Sequence, residues 1–301
     1  EAGLMGQLLE QVVNGLQLGF VYALIAVGYT MVYGIIKLIN FAHGDVIMVG
    51  AFVTFFGLVR GIPWPVAILA AMVACAVLGV IIERLAYRPL REKGAPRIAA
   101  LITAIGVSLF LENFASLHIA FGPDHRQFPE VIPHIQWKLA GMTVTSIQVL
   151  IIVSTLLLVA ILQLVVYRTK IGKAMRAVSL DMDAARLMGI NVNQVIAFTF
   201  AVGSALAAAA GALLAAAYPQ IWPYMGIMPG LKAFTAAVLG SIGSIPGALL
   251  GAVLMGQAEV LTAAYLTTDF KDAVAFALLI LVLLVRSEEH TSELQSRENL
   301  V

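Results

Sequence analysis

Few side chains in this chain of 301 residues are equipped for chemistry, and they gather in a handful of places. Asn40, His43, Gly44 and Asp45 interrupt an apolar region without an obvious long loop. Polar groups in such a setting need partners, because an unpaired one in hydrocarbon costs several kcal/mol. His43 has no second histidine nearby and no carboxylate–histidine spacing of a metal site, so a hydrogen-bonded structural role is expected and no metal. A second interruption contains Gly240, Ser241, Gly243 and Ser244 and ends in Pro246-Gly247. Both breaks are candidates to line a translocation path, because irregular backbone is tolerated at membrane depth where it borders a cavity. A turn between two spans is the other reading of each, and the residues leave both open. Glu112 and Glu259 also lie in apolar stretches, as a functional intramembrane acid or as a side chain reaching for the interface. Lys271 and Asp272, following Asp269, are expected at an external rim. No Gly-x-x-x-x-Gly-Lys-Ser/Thr loop occurs, so the chain has no phosphate cradle, no cofactor is expected, and it is not an enzyme by itself.

The elements that hold these residues follow from composition. Hydrophobic residues make up 61% and charged residues 12% of the chain, and the mean hydropathy is +0.96. A soluble domain is nearer half apolar and a quarter charged. The excess excludes a single soluble core and implies a polytopic membrane protein. Apolar windows fall at roughly 11–35, 44–59, 65–83, 98–119, 147–167, 195–217, 229–245, 247–266 and 271–286. Helices are the default, since lipid offers no water to unpaired backbone groups. The expected fold is therefore an all-α bundle of eight or nine spans, some discontinuous. Small residues dominate 201–217, with ten alanines, Gly203, Ser204 and Gly211; this favours close helix–helix approach, or a pivot. The single cysteine, Cys75, lies in an apolar run and reads as a packing residue.

Charge sets the orientation. Arg84, Arg88, Arg91, Lys93 and Arg97 crowd one loop, and Arg168, Lys170, Lys173, Arg176 and Arg186 crowd another. Between them, Asp124 and Glu130 offset Arg126 and Lys138. The positive-inside rule puts the two basic loops in the cytoplasm and the mixed one outside. The parity favours an outside N-terminus. The external loop, with Pro123, Pro129, Pro133 and Trp137, is a docking site for a soluble partner or a plain connector. Residues 168–194 form a charged, helix-forming insertion between two apolar segments. Within it the small Ala184 and Ala185 allow close seating, and Gly189 permits the turn that ends a short helix.

Asp183-Ala184-Ala185, with Gly189 after three further residues, resembles the E-A-A-x-x-x-G loop of ABC-importer permeases, with Asp in place of Glu and without the Ile-x-Leu-Pro ending. The resemblance implies that Asp183, Ala184, Ala185, Arg186 and Gly189 belong to a coupling helix seated on an ATP-hydrolysing subunit. Longer blocks are very similar to branched-chain amino-acid permeases of that class: Tyr22 to Ile36, Ile39-Asn-Phe-Ala-His-Gly-Asp45, Glu83-Arg-Leu-Ala-Tyr-Arg-Pro-Leu-Arg91, Lys232 to Gly240, and Gly243-Ser-Ile-Pro-Gly247. This likeness covers about 1–286, taken as one transmembrane permease domain. It implies an inner-membrane subunit that carries leucine, isoleucine and valine inward. The implied partners are a homologous second permease, two cytoplasmic ATP-binding subunits, a periplasmic binding protein and membrane lipid, and no nucleic acid. Family members for amides and urea keep the substrate open, and an ion-gradient-driven carrier is the alternative from another class.

Two expectations concern the ends. The chain starts at Glu1, with no cleavable signal peptide apparent, as expected of a fragment or a processed chain. Arg286–Ser296 resembles the conceptual translation of a widely used sequencing adapter, so residues 287–301 are expected to be a non-native tail, with no function assigned to His290 or the glutamates there.

Overall fold

The computed structural model describes residues 2–38, 40–139 and 142–298. The last residues of the expected non-native tail, 299–301, lie outside these. The chain is mostly helical, with α1 (Ala2–Ile36), α2 (His43–Val59), α3 (Trp64–Ile82), α4 (Arg88–Glu92), α5 (Arg97–Ser116), α6 (Ser146–Arg168), α7 (Lys170–Leu180), α8 (Met182–Leu187), α9 (Val192–Ala217), α10 (Ile227–Leu239), α11 (Ile245–Tyr265) and α12 (Lys271–Glu298). Among the described residues, six helical stretches are long and apolar enough to cross a membrane: 6–36, 64–92, 98–116, 146–168, 192–217 and 245–265. Two apolar helices, α2 and α10, are shorter. The bundle's outward surface is itself apolar, with Val73, Val77, Leu85, Ile102, Phe110 and Leu157 all exposed, as a lipid-facing surface must be.

The irregular segment after α5 carries a little sheet. A β-hairpin pairs β2 (Gln136–Leu139) with β3 (Met142–Thr145), and β1 (Arg126–Gln127) pairs antiparallel with β4 (Gln220–Ile221) after α9. The Glu10 carboxylate of α1 accepts from Thr143 N at 2.8 Å, so α1 begins at this hairpin end. The other end of α1 shares a cavity with Tyr87, Arg91, Gly94 and Met182, at the basic end of the molecule. A capping box at Thr145 and Gln148 starts α6 at the hairpin end.

Directions along the chain reveal an inverted repeat. In the first unit the long α1 ends in an irregular segment, the short α2 turns back toward the hairpin end, and α3 descends again. In the second unit α9 rises, an irregular segment follows, the short α10 descends, and α11 rises. Packing respects the exchange of units: α1 lies along α11 as α9 lies along α3, and α2 packs on α9 as α10 packs on α1. The long helices cross at Gly28 and Gly203, where a Cβ on Gly28 would lie 3.1 Å from the Gly203 carbonyl oxygen. The short helices cross where Gly44 meets Gly226 and Gly230, and a side chain on Gly226 would collide with the Gly44 carbonyl. Backbones this close admit only glycine, and polar backbone where α2 and α10 begin is thereby covered by protein rather than lipid. Lys37, between α1 and α2, and Ser241, between α10 and α11, both take positive φ, at 54° and 68°. Non-glycine residues pay for that conformation, so the chain reversals at these points are held by the surrounding packing.

Candidate coupling helix and translocation site

The basic insertion folds into two helices, α7 and α8. Thr169 caps α7 by accepting from Gly172 N at 3.1 Å. Asp181 ends α7 in extended backbone and starts α8, its carboxylate accepting from Asp183 N at 2.8 Å and Ala184 N at 3.0 Å. These two N–H bonds stabilise the charged form and hold its carboxyl below the usual range. Asp183 pairs with Arg186 at 2.9 Å on the exposed side. Ala185 is buried against the body while Ala184 is exposed. Gly189 takes φ +80°, which lets Gly189 N and Ile190 N return to the carbonyls of Arg186 and Ala185 at 3.0 Å each and close the helix. Leu187 and Met188 are left 88% and 82% exposed at this basic end. A short capped helix thus presents two large apolar side chains away from the bundle.

At the start of α9, just after α8, polar contacts begin that approach the first break. Asn193, in the first turn of α9, accepts from Arg91 at 2.8 Å, and Arg91 also pairs with Glu83 at 2.9 Å. Glu83 is fully buried at the start of a π-helical turn, 83–87, that joins α3 to α4. Such turns carry an extra residue per turn and re-aim side chains. Here the turn aims the buried Tyr87 hydroxyl at Asn40, which it reaches at 3.0 Å. The sequence reading singled out Asn40 but missed Tyr87, Glu83, Arg91 and Asn193 as its connection; the single Glu83 in an apolar run, followed by Arg84, Arg88 and Arg91, was the available signal.

His43 and Asp45 sit in the first turn of α2, both buried. His43 reaches the Ile25 carbonyl, and its ring lies 4.5 Å from that of Tyr29. Asp45 lies within reach of Ser108 and Glu112 on α5, and one of its oxygens has no hydrogen-bond partner among the described residues. The N-terminus of α2 favours negative charge at Asp45. Gly44, Asp45, Tyr29, Ser108, Glu112 and Gly230 border a cavity of about 190 Å³. It takes its lining from α1, α2, α5 and α10, and two adjacent carboxyl groups there suit a positively charged group. Among the described residues no three His, Cys, Asp or Glu side chains gather to hold a metal.

The second break has a different setting. Gly240 packs against the Gly247 backbone, Ser244 caps α11 by accepting from Gly247 N at 3.2 Å, and Gly243 takes φ +106° beside Gly34 near the end of α1. These residues form a tight α10–α11 turn, apart from Asn40–Asp45. Of the two readings left open for Glu259, the structure favours a buried acid within the bundle, and Lys271 and Asp272 line a cavity at the hairpin end. Glu259 is buried, accepts from Tyr22 at 2.9 Å and pairs with Lys232 at 2.6 Å. Asp272 pairs with the same Lys232 ammonium at 2.6 Å. A carboxylate on a span finds a buried cation sooner than the headgroup region when three helices bring them together, which hydropathy along the chain does not register.

Residues 11–283 match the family model for the permease component of branched-chain amino acid transport systems. The high-affinity branched-chain amino acid transport system permease protein LivH of Escherichia coli K12 is 47% identical, over 92% of this chain and 93% of its own length. The corresponding permease BraD of Pseudomonas aeruginosa is 46% identical, over 92% and 94%. A probable LivH of Methanocaldococcus jannaschii is 29% identical, over 82% and 78%. PsaBC from Streptococcus pneumoniae in complex with Fab superposes with a TM-score of 0.42 at 13% identity, covering 93% of this chain and 90% of that one. The chain belongs to the permease-component family of branched-chain amino acid transport systems.

Proposed function

We propose that this chain is the membrane-embedded permease subunit of an ATP-driven importer that moves leucine, isoleucine and valine into the cytoplasm across the inner membrane. The observation that carries this is α8: capped at Asp181, closed at Gly189, with Leu187 and Met188 bared at the basic end. That end faces the cytoplasm by the positive-inside rule. An ATP-binding subunit gripping α8 would pull on the start of α9, and Asn193, Arg91, Glu83 and Tyr87 would carry the displacement to Asn40 and the cavity at Asp45. ATP hydrolysis resides in two partner subunits, a homologous permease completes the path, and a periplasmic binding protein delivers solute at the hairpin end. Reading 1–286 as the permease domain is supported by the family match at 11–283. In this reading α2, α10 and α12 add to the six long stretches to give nine crossings. Gly240, Ser241, Gly243 and Ser244 act in it as the hinge of α10 on α11.

An ion-gradient-driven carrier is the second reading, because Asp45 and Glu112 share a cavity at membrane depth. Uptake of labelled leucine separates the two in cells lacking their own high-affinity system, with the partner subunits co-expressed. Uptake blocked by vanadate and spared by a protonophore at constant ATP is expected; the reverse overturns the ATP-driven reading. Assembled subunits that take up no leucine would turn the substrate toward amides and urea. Gly189→Trp is expected to abolish uptake while leaving membrane insertion intact, by filling the seat; undiminished uptake removes α8 as the coupling element.

A further inference from the structure

At the hairpin end, a second cavity of about 360 Å³ opens among α1, the α9–α10 link, α10, α11 and α12. Its polar side is an unusual cluster. The Lys232 ammonium lies 2.6 Å from Glu259 Oε1 and 2.6 Å from Asp272 Oδ1, while Glu259 Oε2 accepts from the Tyr22 hydroxyl at 2.9 Å. Lys232 and Glu259 are 4% and 7% exposed, whereas the Asp272 side chain is 40% exposed. Asp272 Oδ1, although close to the ammonium, has no hydrogen-bond partner among the described residues. Lys271 also lines the cavity, so two cations and two carboxylates surround it. The rest of the lining includes apolar and adaptable side chains, Trp222 and Met228 among them.

Stability does not explain this cluster. Taking opposite charges out of water costs about as much as their attraction returns, and apolar side chains of similar volume would serve a bundle at least as well. In a membrane-embedded segment, ionisable residues that pair in a cavity are the mark of a solute path. One buried ammonium shared by two carboxylates also leaves negative charge in excess at the cavity floor, with compensating positive charge at Lys271. That arrangement is neutral in sum and polar in detail, which suits a solute carrying both charges.

We propose that this cavity is an outer subsite for a zwitterionic α-amino acid. The solute ammonium takes over Asp272 or Glu259, its carboxylate takes Lys232 or Lys271, and its aliphatic side chain lies against Met228 and Trp222. The exchange conserves charge pairing at every step, so no ion is left bare in the bundle. Methionine's flexible thioether accommodates branched side chains of different shape. An analogue with only one of the two charges leaves a buried partner unpaired, and a site built on such pairing rejects it strongly. The inference rests on the reading of the chain as an amino-acid permease, and it adds to that reading the place where solute is first held by the membrane subunit.

The test uses the assembled complex in lipid vesicles with the hairpin end outward. Met228→Cys places a thiol in the cavity wall, and the native Cys75 is buried. A membrane-impermeant methanethiosulfonate reagent then reports occupancy through its reaction rate, corrected for labelling of the complex without the substitution. Leucine is expected to slow modification of Cys at 228 at least fivefold. 4-Methylpentanoate, which lacks the ammonium, and 3-methylbutylamine, which lacks the carboxylate, are expected to slow it less than twofold. Adding Lys232→Met with Glu259→Gln is expected to abolish protection by leucine. An unchanged rate with leucine, or equal protection by all three compounds, overturns the subsite. Uptake by the unsubstituted complex is measured in parallel: uptake without protection removes the subsite alone, and protection without uptake keeps the subsite and removes the importer reading.

Discussion

The Lys232 ammonium shows how little a single residue in this bundle acts alone. It is held by carboxylates from α11 and α12, and Glu259 is held in turn by Tyr22 from α1. Lys232→Met leaves Glu259 buried with one hydroxyl for company, and is expected to cost about 3–5 kcal/mol, read as a lower melting temperature of the assembled complex. Removing both charges with Lys232→Met and Glu259→Gln is expected to recover most of that loss, because the buried carboxylate is gone and Asp272, whose side chain is 40% exposed, is left to solvent. A double variant no more stable than the single one would place the cost in lost packing instead. Gly226 makes the complementary point by its lack of a side chain. Its backbone lies against that of Gly44 at the crossing of the short helices. Gly226→Val is expected to cost about 1–3 kcal/mol through overpacking and to depress uptake, checked by thermal unfolding and transport in the same preparation.

At the scale of elements, α8 depends on its cap. Asp181 accepts from two backbone N–H groups, and its carboxyl is held below the ordinary range. A depressed carboxyl contributes stability that is complete above its unfolded value and fades as pH falls through its folded one. Hydrogen exchange at the Asp183 and Ala184 amides should therefore indicate a closed α8 at neutral pH and fraying under strong acid. Asp181→Ala should give the frayed behaviour at neutral pH, whereas Asp181→Asn should largely restore protection. Exchange in Asp181→Ala indistinguishable from the parent would remove the cap as a determinant. The π-turn supports a second element-level expectation. Tyr87→Phe removes the hydroxyl bound to Asn40 without emptying its space. ATP hydrolysis by the complex should persist while solute moved per ATP falls; a proportional fall of both would assign Tyr87 to assembly rather than transmission.

For the whole molecule, the inverted repeat sets two broken regions face to face and opens cavities toward opposite ends. Orientation is directly measurable, since Cys75 is buried and leaves introduced thiols readable. Lys93→Cys, in the α4–α5 loop, should react with an impermeant thiol reagent only from the cytoplasmic side. His134→Cys, in the segment before the β-hairpin, should react only from outside. Reversed labelling would invert the molecule and detach α8 from any cytoplasmic ATPase.

The helical, membrane-spanning character was legible in the chain because each span is a local run of apolar residues, and the two ends were legible from the arginine and lysine clusters. The short helix at Asp183–Gly189 was legible for the same local reason: two alanines and a glycine act within one turn and a half, although the Asp181 cap went unread. Asn40, His43, Gly44 and Asp45 announced a break, but hydropathy could not say what they would touch. Tyr87 reaches Asn40 only because a π-turn shifts its direction, and Gly44 meets Gly226 only because two short helices of an inverted repeat cross. The sequence left Glu259 open between an intramembrane acid and an interface-seeking one, and only folding brought Lys232 between it and Asp272. Local composition decides which segments enter lipid, since each must satisfy its own backbone there. Which polar side chains then find one another is decided by helix packing, through contacts between residues far apart in the chain.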